Sequence, residues 1–172
     1  MAMLSFDIRD LESNAVAVDT TLSAADPIWQ PGDPVPPDGV RVTGRLSAAG
    51  PGRFYWHGRL AGSATLPCRR CLTDTPVAVQ DEAHLIFAAT GGEEPEDPDV
   101  YMFGPRDREL DLRPAVRELW LLNAPTFVLC REDCRGLCPT CGADLNAGSC
   151  GCPTAHDARW DTLHKLDSSP ST

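Results

Sequence analysis

Several short stretches of the chain alternate apolar and polar residues, the signature of strands with one face in a core and one in water. Residues 4–9, Leu-Ser-Phe-Asp-Ile-Arg, follow this rule and are expected as a strand. Val40 to Leu46 alternate again, and Gly50-Pro51-Gly52 predicts a turn. Phe54 to Leu66 is long enough for one bent strand or two short ones. A further strand over Pro76 to Phe87 would close a hairpin around Cys68-Arg-Arg-Cys71.

The period changes at Leu112, Ala115, Val116, Leu119 and Trp120, which recur at helical spacing. They predict a helix over about residues 111–123, with Asp111 as its cap and Pro114 tolerated in the first turn. Asn123 and Pro125 end it. A shorter helix is expected from Asp157, presenting Trp160, Leu163 and Leu166. Five prolines between positions 27 and 37 put residues 23–39 in a loop or extended segment, which can still pack through Ile28 and Trp29. Residues 91–99 are acidic, rich in breakers and without a core-forming side chain, as expected of a mobile excursion. No internal repeat is visible.

The expected fold class is therefore α+β. A mainly antiparallel β region with one packed helix, residues 1–127, precedes a cysteine-rich module over residues 128–172 that ends in the short helix. A chain of 172 residues buries about 70% of its unfolded surface, enough for a real core.

Cysteine usage sharpens this picture. Six of the eight cysteines lie between positions 130 and 152. In Cys138-Pro-Thr-Cys141-Gly142, a tight turn aims two sulfurs at one ion, and Gly142 supplies the permissive backbone. Cys150-Gly-Cys152 offers a second pair, and two such pairs make a closed four-cysteine site of the zinc-ribbon-like kind. Cys68 and Cys71 then find their partners in Cys130 and Cys134. The other pairing joins 130, 134, 138 and 141 in one site and 68, 71, 150 and 152 in the other. Either way the expected cofactor is Zn2+, two ions. The N-terminus has neither the basic start nor the apolar run of a signal peptide, and no stretch reaches the roughly 20 apolar residues of a membrane helix. Paired cysteines in such a chain suit a cytoplasmic location and metal thiolates better than disulfides.

Charge excludes some partners. The net charge is −10, which disfavours avid binding to nucleic-acid phosphates except through a local basic face or a protein partner. Arg69, Arg70, Arg131 and Arg135 would form such a face if the first pairing holds. Phe54-Tyr55-Trp56 could stack on bases, but such a run is more often a strand with one aromatic buried. A thioredoxin-like role for Cys68 and Cys71 lacks the helix that should open after them. A zinc deaminase needs His-x-Glu, whereas the histidines read His57-Gly-Arg and His84-Leu-Ile. Iron–sulfur ligation is possible, although the Cys-Pro-x-Cys-Gly turn suits tetrahedral zinc at least as well. His57, His84, His156 and His164 show no base–nucleophile spacing, so no catalytic residues, and no small-molecule substrate, are assigned.

Taken in order, these motifs resemble the YceD family, the bacterial and plastid large ribosomal RNA subunit accumulation proteins. The resemblance runs over residues ~40–166. It rests on Cys68-Arg-Arg-Cys71-Leu72, on Glu109-Leu-Asp-Leu112 leading to Leu122-Asn-Ala-Pro125, and on Leu129 through Asn146 with its four cysteines. Cys150-Gly-Cys152 and Asp157-Ala-Arg159-Trp160 complete it, the last departing from an expected Asp-Pro-Arg. The resemblance implies a cytosolic, non-enzymatic factor supporting 23S rRNA accumulation, with zinc as scaffold. The implied partners are a ribosomal protein, a pre-50S particle or an rRNA-processing enzyme, without a membrane. The competing class is a zinc-ribbon adaptor of a transcription or other protein complex; a thiol redox or zinc-storage protein is a weaker third.

Overall fold

The protein is described from a computed structural model, over residues 4–90 and 100–153. The acidic stretch 91–99 and the helix expected from Asp157 lie outside the described residues.

Five strands form one sheet in the order β2–β3–β4–β5–β6, comprising Val16–Leu22, Val40–Gly50, Arg53–Pro67, Asp74–Ala89 and Val100–Phe103. The first four pair antiparallel, and β6 joins the edge of β5 in parallel. A two-stranded antiparallel ribbon pairs β1 (Ser5–Asp7) with β7 (Glu109–Asp111). Helix α1 spans Ile8–Ser13 and α2 spans Arg113–Asn123. Among the described residues the class is thus α+β, with mostly antiparallel strands and two helices.

The strand expected over residues 4–9 is cut short to three residues and gives way to α1. Leu4, Ile8 and Leu11 recur at steps of four and three, so their apolar pattern serves a helix as well as a strand. Asp7 decides between them, because its carboxylate accepts from the Arg9 N–H at 2.8 Å and starts the helix. Leu4 and Leu11 are both 1% exposed in the core.

The segment from Phe54 onward is one continuous strand, β4, and β5 returns beside it to make the long hairpin. The inner face of β4 reads Phe54, Trp56, Gly58, Leu60, Gly62, Ala64, with large and small residues side by side. The Trp56 indole lies over Gly58, where an added Cβ would overlap its Cζ2. The Trp120 indole lies over Gly62, where a Cβ would meet Cζ3 at 2.8 Å. The expectation of one buried aromatic in the 54–56 run is corrected: Phe54 and Trp56 are both buried, because alternation aims them at the same face.

Helix α2 buries Ala115, Val116 and Trp120, as its periodicity predicts. Its cap is one residue later than expected. Leu112 holds the cap position without a side-chain bond, and Asp111 instead accepts from the Arg113 N–H at 3.0 Å and forks onto the Arg113 guanidinium. The proline-rich segment before β3 is irregular but tied to α2. Trp120 Nε1 donates to Pro34 O at 2.8 Å, and Arg117 forks onto Asp33 at 2.7 and 2.9 Å. Thus α2 locks the loop over one face of the sheet, and the tip of the β4–β5 hairpin projects toward the cysteine-rich segment.

Candidate metal centres

The hairpin tip and the segment 138–143 build the same local structure from different residues. In the first, Leu72 N–H donates to Cys68 O at 2.9 Å, and Cys68 N–H to Thr73 O at 2.9 Å. In the second, Gly142 N–H donates to Cys138 O at 2.8 Å, and Cys138 N–H to Ala143 O at 2.8 Å. Both turns need a left-handed residue after the second cysteine. Gly142 supplies it at φ 73°, but Leu72 adopts φ 61° with its side chain 64% exposed. A leucine there carries a Cβ clash that glycine avoids.

Cys68, Cys71, Cys130 and Cys134 come together at the hairpin tip, with their ligand atoms all within 4.8 Å of one another. Cys138, Cys141, Cys150 and Cys152 form a second group by the same measure. This is the first of the two pairings open from the sequence. Arg69 N–H donates to Val128 O at 2.8 Å and Leu137 N–H to Arg70 O at 3.0 Å, so backbone bonds hold the two halves of the first group in register. Gly136, at φ 75°, allows the close approach; a Cβ there would meet Arg70 O at 2.9 Å. Asn146 ties the far side, donating to Cys134 Sγ at 3.6 Å while its Oδ1 accepts from Arg135 N–H and Arg131 Nη2 at 2.8 Å. In the sequence Asn146 stands only as the end of the motif that begins at Leu129, with no role assigned to it.

The spacing of the sulfurs fits a tetrahedral ion. Four thiolates about 2.3 Å from one zinc stand roughly 3.8 Å apart. Cys68 Sγ lies 3.8 Å from Cys134 Sγ, and Cys71 Sγ lies 3.6 Å from Cys130 Sγ. Cys68, Cys71 and Cys134 are buried, packed by Leu129 and Leu137 into a small cluster of their own.

Thiol acidities divide within each group. The Cys130 backbone N–H pulls Cys68 down to about 6 against the opposing effect of burial. The Thr73 hydroxyl lowers Cys71. The neighbouring Cys71 thiol pushes Cys130 up to about 12. In the second group the Cys141 backbone N–H draws Cys138 down to about 6, while the Cys141 thiol pushes Cys152 up to about 11. Four thiols this close to one another crowd negative charge as they ionise. A divalent cation removes that conflict by neutralising the crowded negative charge. Both groups could hold a metal ion.

Between Val128 and Pro153 the described residues form turns and one isolated bridge, Leu137 to Asp144, instead of the strands of a regular ribbon. Of the four arginines, three brace the first group with their side chains, and Arg135 takes part through its backbone N–H. Arg69 donates to Thr126 O and lies 5.0 Å over the Phe127 ring, Arg70 donates to Cys134 O at 2.8 Å, and Arg131 pairs with Asp133. His57 and His84 lie on the outer face of the sheet, away from both groups, while His156 and His164 are outside the described residues. Among the described residues no helix is long and apolar enough to cross a membrane.

The family model described as "Large ribosomal RNA subunit accumulation protein YceD" matches residues 56–167, from near the start of β4 through both cysteine groups. The chain is 28% identical over 130 residues to the chloroplastic large ribosomal RNA subunit accumulation protein YCED homolog 1 of Zea mays, covering 59% of this chain and 44% of that one. Against the homolog 1 of Arabidopsis thaliana it is 30% identical over 115 residues, with 51% and 36% covered. Against the uncharacterized protein YlbN of Bacillus subtilis it is 30% identical over 106 residues, with 61% and 60% covered. The chain thus spans less than half the length of the plant relatives it matches. No solved structure matches it significantly. With the match covering the hairpin tip, α2 and all eight cysteines, the chain belongs to the YceD family of large ribosomal RNA subunit accumulation proteins.

Proposed function

We propose that the protein is a non-enzymatic, cytoplasmic factor that supports accumulation of 23S rRNA during assembly of the large ribosomal subunit. The family match carries this reading, since its description names large ribosomal RNA subunit accumulation. All eight cysteines act as zinc ligands in two structural sites. Cys68, Cys71, Cys130 and Cys134 staple the β region, residues 1–127, to a ribbon-like module over residues 128–172. Cys138, Cys141, Cys150 and Cys152 close the module itself. The clustering of four sulfurs and the matched turns support zinc at both, and the sulfur spacing supports it at the first. Bound there, zinc supplies charge neutralisation and a cross-link; the residues around it fix which surfaces face a partner.

That partner is a ribosomal protein, a pre-50S particle or an rRNA-processing enzyme. An acidic chain of net charge −10 gains little from bare phosphates, and Arg69 and Arg70 at the hairpin tip already donate to the carbonyls of Thr126 and Cys134. Deleting the gene should lower the ratio of 23S to 16S rRNA in growing cells. Wild-type protein should restore the ratio. An unchanged ratio in the deletion strain would dismiss the biogenesis reading and leave a zinc-ribbon adaptor in another complex.

A further inference from the structure

The outer face of the sheet carries a group of side chains with no part in the cysteine centres. His57 on β4 and His84 on β5 are direct cross-strand partners. Their rings stack 4.2 Å apart at an interplanar angle of 10°. Glu82, two residues before His84, projects from the same face, and its Oε1 lies 2.9 Å from His57 Nε2. One ligand atom from each of the three lies within 4.8 Å of the other two.

The surroundings hold these groups in place. Arg59 donates from Nε and Nη2 to Glu82 Oε2 at 2.9 and 2.7 Å, which turns the other oxygen toward His57. The Tyr55 hydroxyl bonds His84 Nδ1 at 2.5 Å and orients that ring. Partners of this kind, outside the ligands themselves, preorganise imidazole and carboxylate groups for a metal. A shared ion takes the place of the Nε2–Oε1 hydrogen bond and turns the two nearly parallel rings out of their stack, so that one nitrogen of each faces it. His57 and Glu82 side chains are 47% and 43% exposed, leaving an entry path and room for water on the ion.

We propose that His57, His84 and Glu82 form a third metal site, an exchangeable one for Zn2+ or a similar late divalent transition ion. Two imidazoles and a carboxylate suit that class of ion. Three ligands leave a coordination position open, unlike the closed cysteine groups. The adjacent Arg59 charge opposes a cation, so the affinity falls in the micromolar range and the ion exchanges freely. Bound across β4 and β5, it would clasp the hairpin whose tip carries Cys68 and Cys71.

The test uses the full chain, washed with a weak chelator and with its retained metal measured, then titrated with Zn2+ by calorimetry at pH 7.5. One further equivalent should bind with micromolar affinity, weakened at least about tenfold in both His57→Asn and His84→Asn. Ring resonances of both histidines should shift on titration of the parent protein. Because these side chains lie on the solvent face, circular dichroism of the variants should match the parent. The same event should persist in Cys138→Ser, which separates this site from the cysteine centres. Absence of a further equivalent, or an unchanged affinity in either histidine variant, would overturn the proposal.

Discussion

Gly58 and Gly62 show how single residues set the packing of this core. Both face inward on β4 among large neighbours, and the two indoles of Trp56 and Trp120 occupy the space a side chain would need. Gly58→Ala drives a methyl group into Thr43 O and the Trp56 ring, neither of which can retreat from a buried sheet. Overpacking of this kind costs about 1–3 kcal/mol, and denaturant unfolding should read the loss as a lower midpoint at an unchanged slope. Asp33 acts at the same scale on the loop before β3. Its carboxylate is held below the ordinary range by hydrogen bonds from Arg117 and from the Gln30 backbone N–H. Since its pKa in the folded chain lies below the unfolded value of 3.8, its stabilisation is present above that pH and is lost as pH falls through the folded value. Asp33→Asn should therefore melt below the parent at neutral pH, and the two melting curves should converge in acid. Parallel curves at every pH would deny the ion pair that role.

Elements differ in how openly the sequence declares them. β3, β4, β5 and α2 are legible because each has a long apolar pattern of one period, and the two-sulfur turn at Cys138 announces itself through Pro139 and Gly142. β2 goes unread: Val16-Ala-Val-Asp-Thr-Thr-Leu22 alternates only imperfectly, and its place follows from pairing with β3. β1 and β7 are three residues each and are defined by one another. The grouping of the cysteines was open for a related reason, since spacing within a pair is local whereas the choice of partner pair depends on where β4 and β5 bring their tip. The bonds from Arg69 to Val128 and from Leu137 to Arg70 make that choice. The histidine cluster is likewise hidden, because His57 and His84 meet across strands at a separation that no motif records. If the two cysteine groups hold one ion each, native mass spectrometry should find two zinc ions per chain. Cys138→Ser or Cys141→Ser should lose the module's ion, keep the one at the hairpin tip and lower the melting temperature. Two retained ions and unaltered melting would refute the ribbon-like assignment.

At the scale of the whole molecule, α2 locks a loop beside the sheet, and the cysteine-rich segment meets the tip of one hairpin. Two centres of four thiols each suit a scaffold that holds surfaces in fixed relation, and the acidic balance of the chain directs attention to a protein partner within a ribonucleoprotein. Specific docking should withstand salt better than diffuse attraction to phosphates, which weakens steeply as ionic strength rises. The most direct measurement is sedimentation of the tagged protein from growing cells through sucrose gradients at low and moderate salt, probed against 23S precursors. Co-migration with large-subunit precursors that survives moderate salt is the expected result. Protein confined to the top of the gradient, with normal 23S rRNA in its absence, would contradict the account.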